Sequence, residues 1–249
     1  MKKFLFLSFI LFLGTLSAQK QIHIKYMNVR STIANVYEDL YSNGKNVISK
    51  QDGNIIYTNP EFDKKKKGKD YFFISDIDNN TKDSKVFLFT ESLGYSSESD
   101  YFVHDNVPKI NWIIDESSTK SILGYECTKA TAVFRGSNIT AYFAKKIPYS
   151  IGPFKFYGLP GAILDVRVDG QNYDLWKAIK VETGNTDEIE YKPQFPSLEK
   201  VQMKKLIELK DKDRERFSNN INVPGSTGRS VAKRFGVEKV FEWEEQPTK

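Results

Sequence analysis

The chain has 249 residues, enough to bury a substantial core as one domain, and its 18 Phe, 13 Tyr and 3 Trp supply large side chains to fill it. A balance of 37 basic to 32 acidic residues is too even to predict a polyanion partner, so nucleic-acid binding is set aside. A single cysteine excludes an intrachain disulfide, and with only two histidines beside it there is no ligand set for zinc.

At the start of the chain, Lys2 and Lys3 precede an apolar run over 4–13, followed by Gly14, Thr15 and the small pair Ser17-Ala18. This is the three-part layout of a cleavable secretory signal. Cleavage is expected between Ala18 and Gln19, or one residue earlier, because Leu16 is larger than the residue usually found three places before the cut. The apolar run is about half the roughly 20 residues that a membrane-spanning helix needs. No later segment is longer, so a mature chain without a transmembrane segment is expected, exported to the periplasm or cell envelope. Removing residues 1–18 takes away two lysines and leaves a formal charge of +3.

From residue 22 the sequence alternates apolar and polar side chains, the period of a strand with one buried face. Similar signals recur at 34–41, 54–57, 70–77, 85–90, 110–114, 128–135, 138–145, 163–168 and 173–181. Turn residues such as Ser42-Asn43-Gly44, Gln51-Asp52-Gly53, Gly136-Ser137 and Asp169-Gly170 separate several of them. The expected fold is mainly β (α+β), an antiparallel meander or open half-barrel closed by one C-terminal amphipathic helix. A β-rich domain over 19–221 and a loosely packed tail over 222–249 complete the expected organisation.

Few residues along this meander promise chemistry. His23 alternates with Ile22 and Ile24 and His104 sits in the polar run His104-Asp105-Asn106, so both are read as solvent-facing strand or turn residues. The four lysines at 64–67 read as a solvated loop, with contact to an anionic surface as the alternative. Asp76-Ile77-Asp78-Asn79-Asn80 opens like a calcium loop, but Thr81 and Phe87 stand where the turn glycine and the closing glutamate belong. Cys127 is read as a buried apolar side chain. Asp115, Glu116, Asp165 and Asp174 offer carboxylates, yet without geometry no pair is preferred as acid and base. No catalytic residue, metal site or cofactor is therefore assigned.

Residues 147–165 are different in kind, placing three prolines and three glycines among apolar and aromatic side chains. Leu159-Pro160-Gly161 suits a type II turn with positive φ at Gly161, and Gly152-Pro153 favours extended backbone at Gly152. Gly152, Pro153, Gly158, Pro160 and Gly161 are thus expected to stiffen a connection between two strands. Phe154, Phe156, Tyr157 and Leu159 must then either lock the sheet from below or line the mouth of an apolar cavity or docking patch.

The same stretch, with Trp112-Ile113-Ile114, Gly124-Tyr125-Glu126-Cys127, Phe134-Arg135-Gly136 and Ile147-Pro148-Tyr149-Ser150 upstream, resembles the GLPGLI family of exported proteins from double-membraned bacteria. The resemblance spans 112–166, departing at Ala162, where leucine is usual, and at Tyr142, where tryptophan is expected. It implies export and a β-rich domain, and no activity that transfers residue by residue. Cys127 matches a family position without acquiring a role. A helix-closed meander is also similar in pattern to the open half-barrel of periplasmic lipoprotein carriers, a likeness of fold alone.

Helical periodicity is clear only at Leu198, Val201, Met203, Leu206, Ile207 and Leu209, predicting a helix over 198–216 with Ser197 as its cap. The expected function is non-enzymatic binding of an apolar small molecule or an envelope protein through the loop at 147–165. Service as an accessory subunit of an outer-membrane assembly and carboxylate-dependent hydrolysis are the alternatives.

Overall fold

Alternation of buried and exposed side chains puts most of the chain into strands, and the computed structural model describes residues 21–31, 34–51, 56–57, 71–76, 83–93, 100–220 and 234–244. The signal residues, the lysine run at 64–67, most of the calcium-like stretch and residues 222–233 lie outside the described residues.

The N-terminal strands are β1 (Gln21–Val29), β2 (Ala34–Ser42), β3 (Val47–Gln51), β4 (Ile56–Tyr57), β5 (Tyr71–Asp76), β6 (Ser84–Ser92) and β7 (Asp100–Pro108). After them come β8 (Ile113–Ile122), β9 (Tyr125–Phe134), β10 (Ser137–Ala144), β11 (Ala162–Val168) and β12 (Leu175–Asn185). Sequential strands pair antiparallel, giving two meanders, and β1 joins them by pairing with β12 along its whole length, Val29 opposite Leu175 and Gln21 opposite Asn185. β13 (Glu199–Gln202) then adds to β7 in parallel, and α1 (Met203–Asn220) follows at once. The sheet ends at β13 on one side and β8 on the other, so it is open. A mainly antiparallel, helix-capped open sheet is what the alternation predicted.

The main core gathers Tyr26, Leu40, Phe143, Phe156, Leu159 and Ile163, all fully buried. Side chains of this size contribute roughly 1.5–3 kcal/mol each on burial. A second cluster joins Phe89, Tyr101 and Val103 of the β6–β7 hairpin to Val201, Met203, Leu206, Ile207 and Phe241. Met203, Leu206 and Ile207 stand at i, i+3 and i+4, the stripe that lays α1 on β7.

Three expectations need correction. The helix does not begin at Leu198 under a Ser197 cap. Lys200 cannot accept from the helix N-terminus as a capping box requires, and residues 199–202 satisfy their backbone groups on β7 instead. No strand was expected between residues 90 and 110, yet His104-Asp105-Asn106 is the middle of β7, where Tyr101, Val103, Asp105 and Val107 alternate inward. Asp105 occupies a core-facing place that pattern reading reserves for apolar residues.

The third correction concerns the tail. Its described part, residues 234–244, returns as a packed strap in which Val237 and Phe241 are buried. The Arg135 carbonyl accepts from Lys239 N at 2.8 Å and Val240 N at 3.0 Å, and Ser137 Oγ donates to the Val237 carbonyl at 2.7 Å. Charge-rich composition concealed this, because the strap's Glu238 and Glu242 are spent on a buried arginine.

Candidate functional site

The loop after β10 is built by close backbone approach. A Cβ on Gly161 would fall 2.3 Å from the Ala144 carbonyl oxygen, and one on Gly152 would fall 2.8 Å from that of Phe156. Gly161 does not adopt the positive φ of the expected type II turn; Gly158 does, at φ 96. The glycine at 161 therefore answers to space, not to backbone angle. Phe154, at φ 54, turns the chain, and Phe156 N donates to the Pro153 carbonyl at 3.1 Å. Trp112 Nε1 donates to the Tyr157 carbonyl at 2.8 Å and the Tyr157 hydroxyl to the Val107 carbonyl at 2.9 Å, fixing the loop to β7.

The four loop side chains singled out by sequence divide. Phe156 and Leu159 are each 1% exposed and belong to the core. Tyr157 is half-buried beside Phe87, with burial pushing its hydroxyl up to about 12. Phe154 alone of the four faces a partly open cavity of about 250 Å³ between the sheet, α1 and the strap. Phe154 stacks on Trp176 of β12, ring centroids 5.7 Å apart at 24°, to form one flat wall. Phe89, Met203, Leu206, Ile207 and Phe241 add apolar surface, and charged side chains that include Arg30, Glu91, Lys210, Arg214 and Arg234 line the remainder.

A buried polar group lies behind the Phe154–Trp176 wall. Glu38 of β2 is fully buried, and its carboxylate accepts from Ser49 Oγ, from Phe154 N at 2.8 Å, from Trp176 Nε1 at 2.9 Å and from Gln51 Nε2 at 3.2 Å. Burial pushes its pKa up, and the four donors draw it partly back. Asn28 and Gln51 line the cavity beside it. Sequence reasoning missed Glu38; its signal was one carboxylate at an inward place in β2, between Val36 and Leu40.

A second charged group holds the strap against the sheet. Arg135, at φ 42 in the β9–β10 turn, is buried and donates to both oxygens of Asp105 at 2.7 and 2.8 Å, to Glu238 and to Glu242. Lys155, 1% exposed, donates to Asp105 at 2.7 Å and to Glu238 at 2.9 Å. Burial opposes the charge on Asp105, but Lys155 and Arg135 hold its carboxyl down at about 2. Lys155 and Glu238 also reach the cavity wall, so the network that shuts the strap is continuous with the site.

Other candidate residues lie apart. His23 is not solvent-facing: it is 6% exposed, stacked on Tyr41, with Nδ1 2.7 Å from Glu182 and Nε2 2.7 Å from Asp39. His104 is on β7, its Nδ1 3.5 Å from Gln202 Nε2. Burial raises the Cys127 thiol to about 11, in keeping with its reading as an inert core side chain. Asp115 and Glu116 are exposed on β8, while Asp165 of β11 is paired with Lys120 at 2.9 Å. The Asp115 and Asp165 strands are three spacings of about 4.8 Å apart. Asp174 alone of these carboxylates borders the cavity.

Fold and site together define a mainly β domain with an open sheet and a small cavity of mixed apolar and charged lining beside a helix and a C-terminal strap. Among the described residues no helix is long and apolar enough to cross a membrane. A family described as a protein of unknown function (Porph_ging) matches residues 133–165, which hold Arg135, Lys155 and the loop. No curated protein sequence matches the chain. Among solved structures, PNGF-II in space group P21 is similar over 78% of this chain and 34% of that one, with 14% identity and a TM-score of 0.50. PNGF-II in space group C2 gives a TM-score of 0.49 at the same identity, over 78% of this chain and 33% of that one. An uncharacterized conserved protein from Thermus thermophilus gives 0.36 at 8% identity, over 75% of this chain and 91% of that one. The chain thus spans about a third of the length of PNGF-II, and the likeness is one of fold.

Proposed function

We propose that this chain is an exported, non-enzymatic binding protein of the cell envelope that holds a small apolar ligand in the cavity behind Phe154. The observation that carries the reading is the cavity itself, about 250 Å³, in which the Phe154–Trp176 wall and Phe89, Met203, Leu206, Ile207 and Phe241 stand beside charged side chains, with the strap on one side held by a buried ion network. Concave, mainly apolar sites with a few placed polar groups are the usual form of small-molecule sites. Export rests on the layout of residues 1–18, and N-terminal sequencing of the protein from envelope fractions should begin at Gln19 or Ala18.

Native mass spectrometry of the mature protein tests the binding function. A retained small molecule is expected in the wild type and absent from Leu206→Trp, which fills the cavity from α1. A wild type that carries nothing, together with a panel of small apolar compounds that fails to shift its Tm, refutes it.

The outer edge of β8 favours a second reading, as accessory subunit of an outer-membrane assembly. That edge has no strand partner among the described residues, and Ile113 and Val133 beside it are 73% and 70% exposed. A photo-crosslinker at Ile113 that captures no defined envelope protein in cells would remove this alternative. Carboxylate-dependent hydrolysis has the least support, given the separation of Asp115 from Asp165.

A further inference from the structure

The face that α1 turns to the cavity changes character along its length. Met203, Leu206 and Ile207 line it first, and Lys210 and Arg214, one and two turns on from Leu206, continue the same stripe. Over about 16 Å of helix the lining thus passes from apolar to basic.

The charges around it are arranged unevenly. Each carboxylate that lines the cavity already meets a cation. Glu91 is 3.2 Å from Lys210 and Glu238 is 2.9 Å from Lys155. Asp174 and Arg30 stand just past the last pair of the β1–β12 ladder, Val29 opposite Leu175; burial raises the Asp174 pKa and the Arg30 charge opposes the rise. Arg214 and Arg234 differ. They meet at Asp211, where Arg214 Nη1 donates at 2.7 Å and Arg234 Nε at 3.1 Å, and Arg234 also grips Glu244 at 2.7 Å. Asp211 and Glu244 are not part of the lining, so both pairs turn their cationic side to the cavity. Arg234 spends all its N–H groups on Asp211, Glu244 and the Lys239 carbonyl, and so braces Arg214. Arg214 spends Nη1 alone among the described residues, and its side chain is 23% exposed, within reach of a molecule in the cavity.

We infer that the ligand is a small aromatic monocarboxylate, its ring on the Phe154–Trp176 wall and its carboxylate on the remaining N–H edge of Arg214. The inference rests on the cavity being the ligand site. A guanidinium edge offers a carboxylate two parallel donors, in hydrogen bonds about twice as strong as neutral ones. The wall, two rings stacked at 24°, favours a flat body over an aliphatic chain. A dianion gains less, because Glu91, Asp174 and Glu238 stand in the same lining.

The test titrates the full mature chain near neutral pH with 3-phenylpropionate, 3-phenylpropanamide and 3-phenylpropylamine, which share one body and differ in charge, followed by ligand-observed NMR. The acid is expected to bind about tenfold tighter than the amide, the ratio that about 1.4 kcal/mol of charge-assisted hydrogen bonding provides, with the amine weakest. In Arg214→Gln acid and amide should bind alike. Lys145→Gln, which removes an exposed charge outside the cavity lining, should keep the tenfold ratio. Equal binding of acid and amide to the wild type overturns the monocarboxylate and leaves the cavity a ligand site. A loss of preference in Lys145→Gln as large as in Arg214→Gln also overturns it, since net charge alone would then explain the ratio. If none of the three binds, the inference is overturned, and the cavity reading falls with it when the wild type also carries no small molecule. Arg214→Gln leaves Asp211 paired with Arg234 and should fold, but the wild-type panel decides the matter without it.

Discussion

Arg135 occupies a left-handed backbone position in a tight turn, a strained place for a long side chain, at about 1 kcal/mol or more. The gain is direction, because that backbone sends the guanidinium inward to Asp105, Glu238 and Glu242. Asp105 is the anion shared by both buried cations. Asp105→Asn should therefore cost about 3–5 kcal/mol, as removal of one partner from a buried ion pair does, read as a lower urea midpoint with unchanged m-value.

His23 sets a pH dependence of a different kind. Burial opposes its charge, but hydrogen bonds to Asp39 and Glu182 outweigh it and raise its pKa above 6.5. Its stabilisation is complete below pH 6.5 and is lost as pH rises through the raised value. His23→Gln should lower Tm most at pH 6, with the difference shrinking toward pH 9; a constant difference would contradict the double pairing. Neither residue was legible as such. Alternation put His23 on the polar face of β1, but nothing local reveals that Glu182, from β12, covers that face.

At the scale of elements, the strands were legible where side chains alternate and the loop where proline and glycine cluster. β7 was lost because Asp105 breaks the apolar alternation. β13 was lost because four residues carry too short a pattern to outweigh the helix that follows. The glycine chemistry at 161 was half legible, since a glycine was required but for closeness to Ala144 rather than for a turn. Two substitutions separate these demands. Gly161→Ala forces the Ala144 carbonyl to move and should cost about 3 kcal/mol. Gly124→Ala, at φ 81 with nothing within 4 Å, should cost only about 1 kcal/mol from backbone strain. Thermal melts of the two variants check the order.

For the whole molecule, the strap is the part most at odds with its composition and the part that finishes the site. Deleting residues 234–249 removes buried Val237 and Phe241 and leaves Arg135 and Lys155 with Asp105 as their remaining carboxylate among the described residues. Tm should fall steeply, and the opened cavity should bind the dye ANS, which the intact chain should not. The seam between the two meanders has a further consequence, in time rather than in space. Gln21 Nε2 bonds Asn185 Oδ1, 164 residues away in sequence. As the chain emerges N-terminus first, β1 is an interior strand with one edge bare until nearly the last strand has been made. Folding of so non-local a sheet is slow, in the millisecond-to-second range, and for that interval the bare edge of β1 is the chain's principal invitation to mispair.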